Sequence, residues 1–491
     1  MHHNEGMANL MRLTRLRDTL GGWAVFVLAL LACVSSCRRS RFPSRGDAAP
    51  VVVVVPHNDA AGPPRVLEQE PNDSPEQAQL LAINPDWPVL SVDGTLSGPG
   101  EGKGKDVDVF KLLVPGRRQD PAALAVSPDS AQSDDPRFSA RRLSLEIASG
   151  AGAGLSLQLL DDGLKSLETV LVDPGDVAGM PNMAALPGRT YYFRVKAMAK
   201  PGKTVATPPA GSTYKLTVQL GDFELSEERE PNDGLETAQP LVMGGTVDFA
   251  GLFSWQHDQD FFRIPLPEVE SALDLELDAV DGVGAGLQVL DGRGARVSAG
   301  KGRRGERVAL HNVTIPGAVA DAGAADRFLF VVVRAESGQN RTERYVLHLT
   351  MGTLKQGSEI EPNDNPTNAT PVRDGTITGF LPVGDVDYFR YVGDGPHEVT
   401  FEVSCPARVR GKLEILRQSD GQVLGAAEAK KPRQSVVVAR IPSLGEPLLV
   451  RLSQGKGDGN PNELYSLMIS STPMPIQKNS AINSPSTLNP D

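Results

Sequence analysis

The sequence predicts an all-β protein: three tandem antiparallel β-sandwich domains, jelly-roll-like, behind an N-terminal segment of different character. Three observations carry this. The string Glu-x-Glu-Pro-Asn-Asp occurs three times, with starts 160 and 131 residues apart, too far for solenoid repeats and right for whole domains. Short runs of alternating apolar and polar residues follow each copy in the same order. Aromatics are sparse (5%) while Gly (50) and Pro (39) are plentiful, which suits short strands joined by turns.

From the N-terminus, Arg12, Arg15 and Arg17 precede an apolar run at residues 24–32, with Met7 and Met11 as alternative starts. Nine apolar residues are too few to span a bilayer but fit the core of an export signal. Leu30-Leu31-Ala32-Cys33 resembles the lipobox of bacterial lipoproteins, with Cys37 as the alternative acceptor. The resemblance implies a signal peptide over 1–32, a lipid on Cys33, and a protein held in the bacterial cell envelope, at the outer membrane or cell surface. Residues 33–67, rich in Pro and Val, read as a flexible tether, and 472–491, rich in Ser, Asn and Pro, as a disordered tail. The three cysteines exclude a disulfide framework, and Cys405 reads as a buried thiol.

The domains are expected at 68–220, 228–351 and 359–471. Each opens on the acidic string: Glu68-Gln69-Glu70-Pro71-Asn72-Asp73, Glu228-Arg229-Glu230-Pro231-Asn232-Asp233 and Glu359-Ile360-Glu361-Pro362-Asn363-Asp364. A Gly-Thr pair follows, at Gly94-Thr95, Gly245-Thr246 and Gly375-Thr376. Then comes Asp-x-Asp running into Phe: Asp106 and Asp108, Asp258 and Asp260, Asp385 and Asp387. Strictly alternating strands start at Leu143, Leu273 and Val399, and Asp-Gly hairpin signals sit at Asp162, Asp291 and Asp420. Each unit closes on Tyr-x-Leu, at Tyr214, Tyr345 and Tyr465. The first domain carries a polar insertion near 115–142, read as a surface loop.

These landmarks resemble the bacterial pre-peptidase C-terminal domain, over roughly four-fifths of the chain. The resemblance implies a compact β-sandwich of the kind attached to secreted peptidases, which assists attachment to insoluble substrates. In the collagenase members of that family the matching acidic residues bind calcium. The peptidase domain that usually precedes such modules has no counterpart among the motifs here.

The acidic residues can be weighed directly. In an extended strand Glu68, Glu70 and Asn72 share a face, as do Glu228, Glu230 and Asn232, and Glu359, Glu361 and Asn363. Joined by Asp106 and Asp108, or their counterparts, and by Asp73, Asp233 and Asp364, they supply the hard oxygen ligands that calcium takes. The set holds no thiol or imidazole, which argues against zinc or copper. The plain alternative is turn chemistry after Pro and a solvated Asp-x-Asp edge.

The net charge of −12 leaves no basic surface for nucleic acid. No Gly-x-Ser-x-Gly, His-Glu-x-x-His or Walker loop is present, and Gly202-Lys203-Thr204 reads as a loop tip. His57, His257, His311, His348 and His397 do not recur between copies. The expectation is therefore a non-enzymatic, calcium-stabilised display of binding modules. The expected ligand is an extracellular polymer, collagen-like protein or polysaccharide, or another protein. The alternatives are a structural envelope protein that binds nothing and an accessory of a separate secreted peptidase.

Overall fold

The computed structural model describes residues 63–474, apart from 84–87, 97–105, 117–134, 153, 199–211, 242, 244, 256, 319–322, 324–326 and 456–458. The export signal, Cys33, Cys37, most of the tether and residues 475–491 lie outside the described residues, as do His57 and the 202–204 loop tip. Among the described residues no helix is long and apolar enough to cross a membrane.

The chain is a succession of strands. The first module runs β1 (Arg65–Leu67), β2 (Gln79–Leu80), β3 (Val89–Leu96), β4 (Val107–Leu113), β5 (Arg141–Ser149), β6 (Leu155–Leu160), β7 (Ser166–Val172), β8 (Val177–Ala185), β9 (Thr190–Ala197) and β10 (Ser212–Asp222). The second runs β11 (Gln239–Pro240), β12 (Thr246–Phe253), β13 (Gln259–Pro265), β14 (Ser271–Leu277), β15 (Gly284–Leu290), β16 (Arg296–Arg304), β17 (Val308–Ile315), β18 (Phe328–Ser337) and β19 (Asn340–Gly352). The third runs β20 (Thr370–Val372), β21 (Gly375–Leu381), β22 (Val386–Tyr391), β23 (Pro396–Ser404), β24 (Gly411–Arg417), β25 (Val423–Glu428), β26 (Val436–Leu444), β27 (Leu448–Gln454) and β28 (Asn460–Pro473).

Each module is two facing sheets with one order. In the second, β12-β19-β14-β17 faces β11-β13-β18-β15-β16, and the third repeats it as β21-β28-β23-β26 and β20-β22-β27-β24-β25. The first has β1-β3-β10-β5-β8 and β2-β4-β9-β6-β7. This is the jelly-roll order, in which consecutive long strands alternate between sheets except at one hairpin per module, β6–β7, β15–β16 and β24–β25. The long strands pair antiparallel, and the short entry strands pair parallel.

Alternation explains the packing. Leu143, Leu145 and Ile147 of β5 are buried while Ser144 and Glu146 are not, and three separate apolar clusters fill the three sandwiches. The Asp-Gly signals fall in the β6–β7, β15–β16 and β24–β25 hairpins. In the first two, Asp161 and Asp291 cap the turn by accepting from main-chain N–H groups. Cys405 is a free, buried thiol in the third core.

Three features were not expected. Residues 65–67, at the end of the expected tether, form β1, which buries Val66 against the first sheet. The described end of the 115–142 insertion forms a short 3-10 turn, Pro136–Ser139, that joins the second module. There Arg137 donates to the carbonyls of Pro231, Thr237 and Ala238. The sixth long strand of each module, β8, β17 and β26, was missed because a register shift breaks its alternation.

Leu275→Ala in β14, at a fully buried position, is expected to cost about 2–5 kcal/mol. Val437→Ala, 47% exposed, is expected within about 0.5 kcal/mol of the unchanged protein. Chemical denaturation of the two variants checks both values.

Candidate metal centre

The acidic string is a turn, not a strand. The Glu70-Pro71, Glu230-Pro231 and Glu361-Pro362 peptides are all cis, and the motif residues lie outside the long strands. The expectation that three side chains share the face of an extended strand is therefore corrected. The turn brings them together differently. The Asn72 N–H donates to Glu70 Oε2 at 2.8 Å, and Asn232 and Asn363 repeat the bond on Glu230 and Glu361. The Asn carbonyl in turn accepts from the strand carrying Asp-x-Asp, from Val109, Phe261 and Tyr388. That bond sets the turn beside the aspartates.

The first Glu reaches the other way. Glu68 accepts from the Thr95 N–H of β3, Glu228 from Leu252 of β12 and Glu359 from Phe380 of β21. Turn, first strand and second strand thus converge. In the first module Glu68, Glu70 and Asp108 offer oxygens within 4.8 Å of one another, as do Glu70, Asp73 and Asp106. The second module repeats both groups, with Glu228, Glu230 and Asp260, and with Glu230, Asp233 and Asp258. Among the described residues of the third, only Glu359, Glu361 and Asp387 meet at that distance. Asp364 and Asp385 stand close enough to repel Glu361.

Two site positions in each module, a tyrosine and a glycine, were not anticipated. The Tyr214 hydroxyl donates to Asp108 at 2.5 Å and Tyr345 to Asp260 at 2.8 Å, while Tyr465 donates to Glu359 at 2.6 Å. In the first two modules this bond ties one sheet to the other. The tyrosine crosses a glycine on the neighbouring strand: Tyr214 pairs with Gly94, Tyr345 with Gly251 and Tyr465 with Gly379. A Cβ on Gly251 would stand 2.2 Å from both Glu228 Oε2 and the Tyr345 hydroxyl, so a side chain there displaces the site.

The Gly-Thr landmark therefore aligned the wrong glycines. Gly94 corresponds to Gly251 and Gly379, not to Gly245 and Gly375, which have positive φ. The sequence does carry the correct signal, a Gly two residues before Leu or Phe in each copy: Gly94-Thr95-Leu96, Gly251-Leu252-Phe253 and Gly379-Phe380-Leu381.

Burial decides the electrostatics. Burial first, and the Glu68 charge after it, push the Asp108 carboxyl up to about 8 against the opposing Tyr214 bond. Burial likewise raises Asp260 to about 8, and burial with Glu361 beside it raises Glu359 to about 8. Glu228, Glu230, Asp258, Asp385 and Asp387 are driven well above the carboxylate range by burial and by one another. Glu68 and Glu70, more open, rise less.

The donor set can be tested for a cation. Asn72 Oδ1, Asp108 Oδ1, Glu228 Oε1, Glu230 Oε1, Asn363 Oδ1 and both Asp387 oxygens are buried without a hydrogen-bond partner. The Asn232 amide oxygen sits 3.1 Å from Glu230 Oε2 and from Asp260 Oδ1. Turning the amide over would satisfy both carboxylates from its NH2. A cation among the three satisfies the oxygen-facing orientation instead. Asn72 Nδ2 donates to Glu68 Oε1 at 3.4 Å and Asn363 Nδ2 is itself unpartnered, but buried carboxylate and amide oxygens left over after these donors fit a hard cation.

The pH dependence follows from these directions. A carboxyl raised on folding holds its proton in the fold between about 4, its unfolded value, and about 8. Its folded form is then favoured at low pH, and stability falls as pH rises through that window. In chelator the melting temperature is expected to be several degrees higher at pH 5.5 than at pH 8.5, and Asp260→Asn should flatten the difference. Gly251→Ala is expected to destabilise by about 1–3 kcal/mol, read by the same melts.

No family model matches the chain. It is 25% identical over 191 residues to a probable subtilase-type serine protease of Deinococcus radiodurans. The match covers 37% of this chain and 26% of that protein, so the chain spans about a quarter of the length of the relative. Among solved structures it is similar to tripeptidyl peptidase 2, with 10% identity, a TM-score of 0.18 and coverage of 80% and 24% of the two chains. It is also similar to the exported protein XepA of PBSX, with 11% identity, a TM-score of 0.16 and coverage of 53% and 84%. Likenesses at such TM-scores carry no fold argument. What the comparisons establish is a weak homology to part of a subtilase-type protease.

Proposed function

We propose that this chain is a non-enzymatic, exported and lipid-anchored envelope protein. On this reading its three pre-peptidase C-terminal-like modules each hold calcium and together bind an extracellular polymer or protein. The observation that carries the reading is the threefold meeting of two Glu with the second Asp of Asp-x-Asp, with that Asp and the motif Asn fully buried in each module. Repetition separates it from ordinary turn chemistry, because a solvated acidic edge has no reason to bury the same aspartate, Asp108, Asp260 and Asp387, three times.

The residues that would hold the ion are Glu68, Glu70, Asn72, Asp73, Asp106 and Asp108 with their counterparts. A bound divalent cation supplies the counter-charge that the site lacks. Asp73, Asp233 and Asp364 are exposed and suit the solvent side of such a site. Tandem modules on one chain raise avidity for a repetitive ligand without any new contact. A second reading, an accessory that docks a separate secreted peptidase, is favoured by the stretch shared with the subtilase-type protease.

Melting the protein in calcium and in chelator tests the cation. Ion bound only to the folded state at a hundredfold excess over its Kd adds about 2.7 kcal/mol per site, so a rise of several degrees is expected. Asp108→Ala, Asp260→Ala and Asp387→Ala combined should abolish it, and identical melts of the unchanged protein would overturn calcium. Cosedimentation with collagen, chitin and cell-wall material, against co-purification with a peptidase, separates the two partner readings.

A further inference from the structure

The acidic turn of a downstream module has a second set of partners. While its carboxylates face the site, the Glu230 main chain is bonded to β8 of the preceding module. Glu230 N–H donates to Asn182 O at 2.9 Å, and Ala184 N–H donates to Glu230 O at 2.8 Å. At the next joint Glu361 N–H donates to Asn312 O of β17 at 3.2 Å, and Thr314 N–H donates to Glu361 O at 2.7 Å. Both joints are one parallel bridge on an edge strand.

The receiving residues occupy the same place in the fold. Asn182 and Asn312 have φ of 60° and 51° and stand at the point where their strands slip register against β5 and β14. Asn tolerates that left-handed conformation. The bulge leaves the Asn out of its own ladder, and the open edge of the strand presents the Asn carbonyl and the N–H two residues on to the next module. At the second joint the side chain adds to the fit. Asn312 Nδ2 donates to Glu359 O, and its Oδ1 accepts from Lys355 N–H. Beside it His311 stacks on Phe380 with ring centres 4.2 Å apart.

The third module has the bulge but not the receptor. Arg440, with φ of 56°, stands where the register of β26 shifts, in the place of the two asparagines. Two residues on, where Ala184 and Thr314 donate, stands Pro442, which has no N–H to give.

We propose that the bulged sixth strand is a receptor for the Glu-x-Glu-Pro-Asn-Asp turn of the following module, that Pro442 closes the array at module 3, and that docking is coupled to occupation of the carboxylate site. The coupling rests on the cation reading above; the docking does not. The link is direct, because the glutamate held by its main chain at the joint is the one whose carboxylate enters the site. Burial follows the joints: Glu230 and Glu361 are 0% and 9% exposed, whereas Glu70, which meets no such strand among the described residues, is exposed.

Thr314→Pro in the full chain tests this, because Pro442 shows that the fold holds a proline at this position. Thr314→Ala, which keeps the N–H, is the control. Three readouts are taken: trypsin cleavage after Lys355, the radius of gyration by small-angle scattering, and the calcium midpoint of the melts. Thr314→Pro is expected to raise cleavage at Lys355 about tenfold, to extend the particle and to shift the calcium midpoint of one site about tenfold upward, with Thr314→Ala unchanged. Cleavage and scattering like those of the unchanged protein would overturn the docking. A calcium midpoint that stays put while module 3 swings free would overturn the coupling alone. If the unchanged protein shows no calcium shift, the cation reading fails while cleavage and scattering still decide the docking. Should Thr314→Pro not fold, Ala184→Pro at the first joint decides by scattering, with the second joint as its internal reference.

Discussion

Each sandwich concentrates carboxylates where its interior can least tolerate them, and much of the local structure answers to that constraint. Burying one unpaired carboxylate costs several kcal/mol. A hydrogen bond to a charged group returns about 1.5–3 kcal/mol. The second module has Glu228, Glu230, Asp258 and Asp260 all fully buried, and each accepts one main-chain or tyrosine bond. Four such bonds do not offset four buried charges, so the fold either keeps these groups protonated or needs a counter-ion. Both options are consistent with the upward shift of every resolved carboxyl in the set, and calcium binding is the one proposed here.

The supporting residues make sense in that light. Tyr345 is fully buried, and its hydroxyl is a polar atom at a place where phenylalanine would fill the same core. Gly251 exists to let that ring pass, since any Cβ would strike it. The cis proline turn folds Asn232 back onto Glu230, while the Asn main-chain carbonyl holds the Asp-x-Asp strand. Carboxylates that face the site and main chain that positions it are therefore distinct parts of one six-residue motif.

The same turn is also the joint between modules, which explains why the three sites differ. At the first joint Arg229 lies buried between Phe138 and Phe223, its guanidinium 4.6 and 4.9 Å from the ring centres. Its N–H groups end on the Glu224 and Glu227 carbonyls. Glu227 in turn pairs with Arg142 of module 1 and Arg344 of module 2. The second joint uses Lys355 and Asp274, with burial of Asp274 outweighed by bonds from His311, Lys355 and the Asn312 N–H that hold its carboxyl low. Different residues thus seal two joints built on one main-chain geometry.

The fold class, the strands that alternate strictly and the residues of the acidic sites were legible in the sequence, because their physics is local. Period-two burial, Asp-Gly turns and the repeated acidic strings are properties of neighbours along the chain, while the meeting of Glu68 and Glu70 with Asp108 is the work of the fold. Tyr214, Tyr345 and Tyr465 were visible as a repeated landmark, but nothing local showed their hydroxyls reaching the site from across the sandwich. The matching glycines were misaligned because Gly94, Gly251 and Gly379 are recognised only by the ring that crosses them. The sixth strands were missed because a left-handed residue interrupts the alternation by which strands are recognised. The sequence by itself determined what each module is made of and which oxygens it collects. Only the tertiary structure decided which glycine faces which tyrosine, how far each carboxylate is buried, and that one module's edge receives the next one's turn. These are contacts between residues far apart in the chain, and no spacing encodes them.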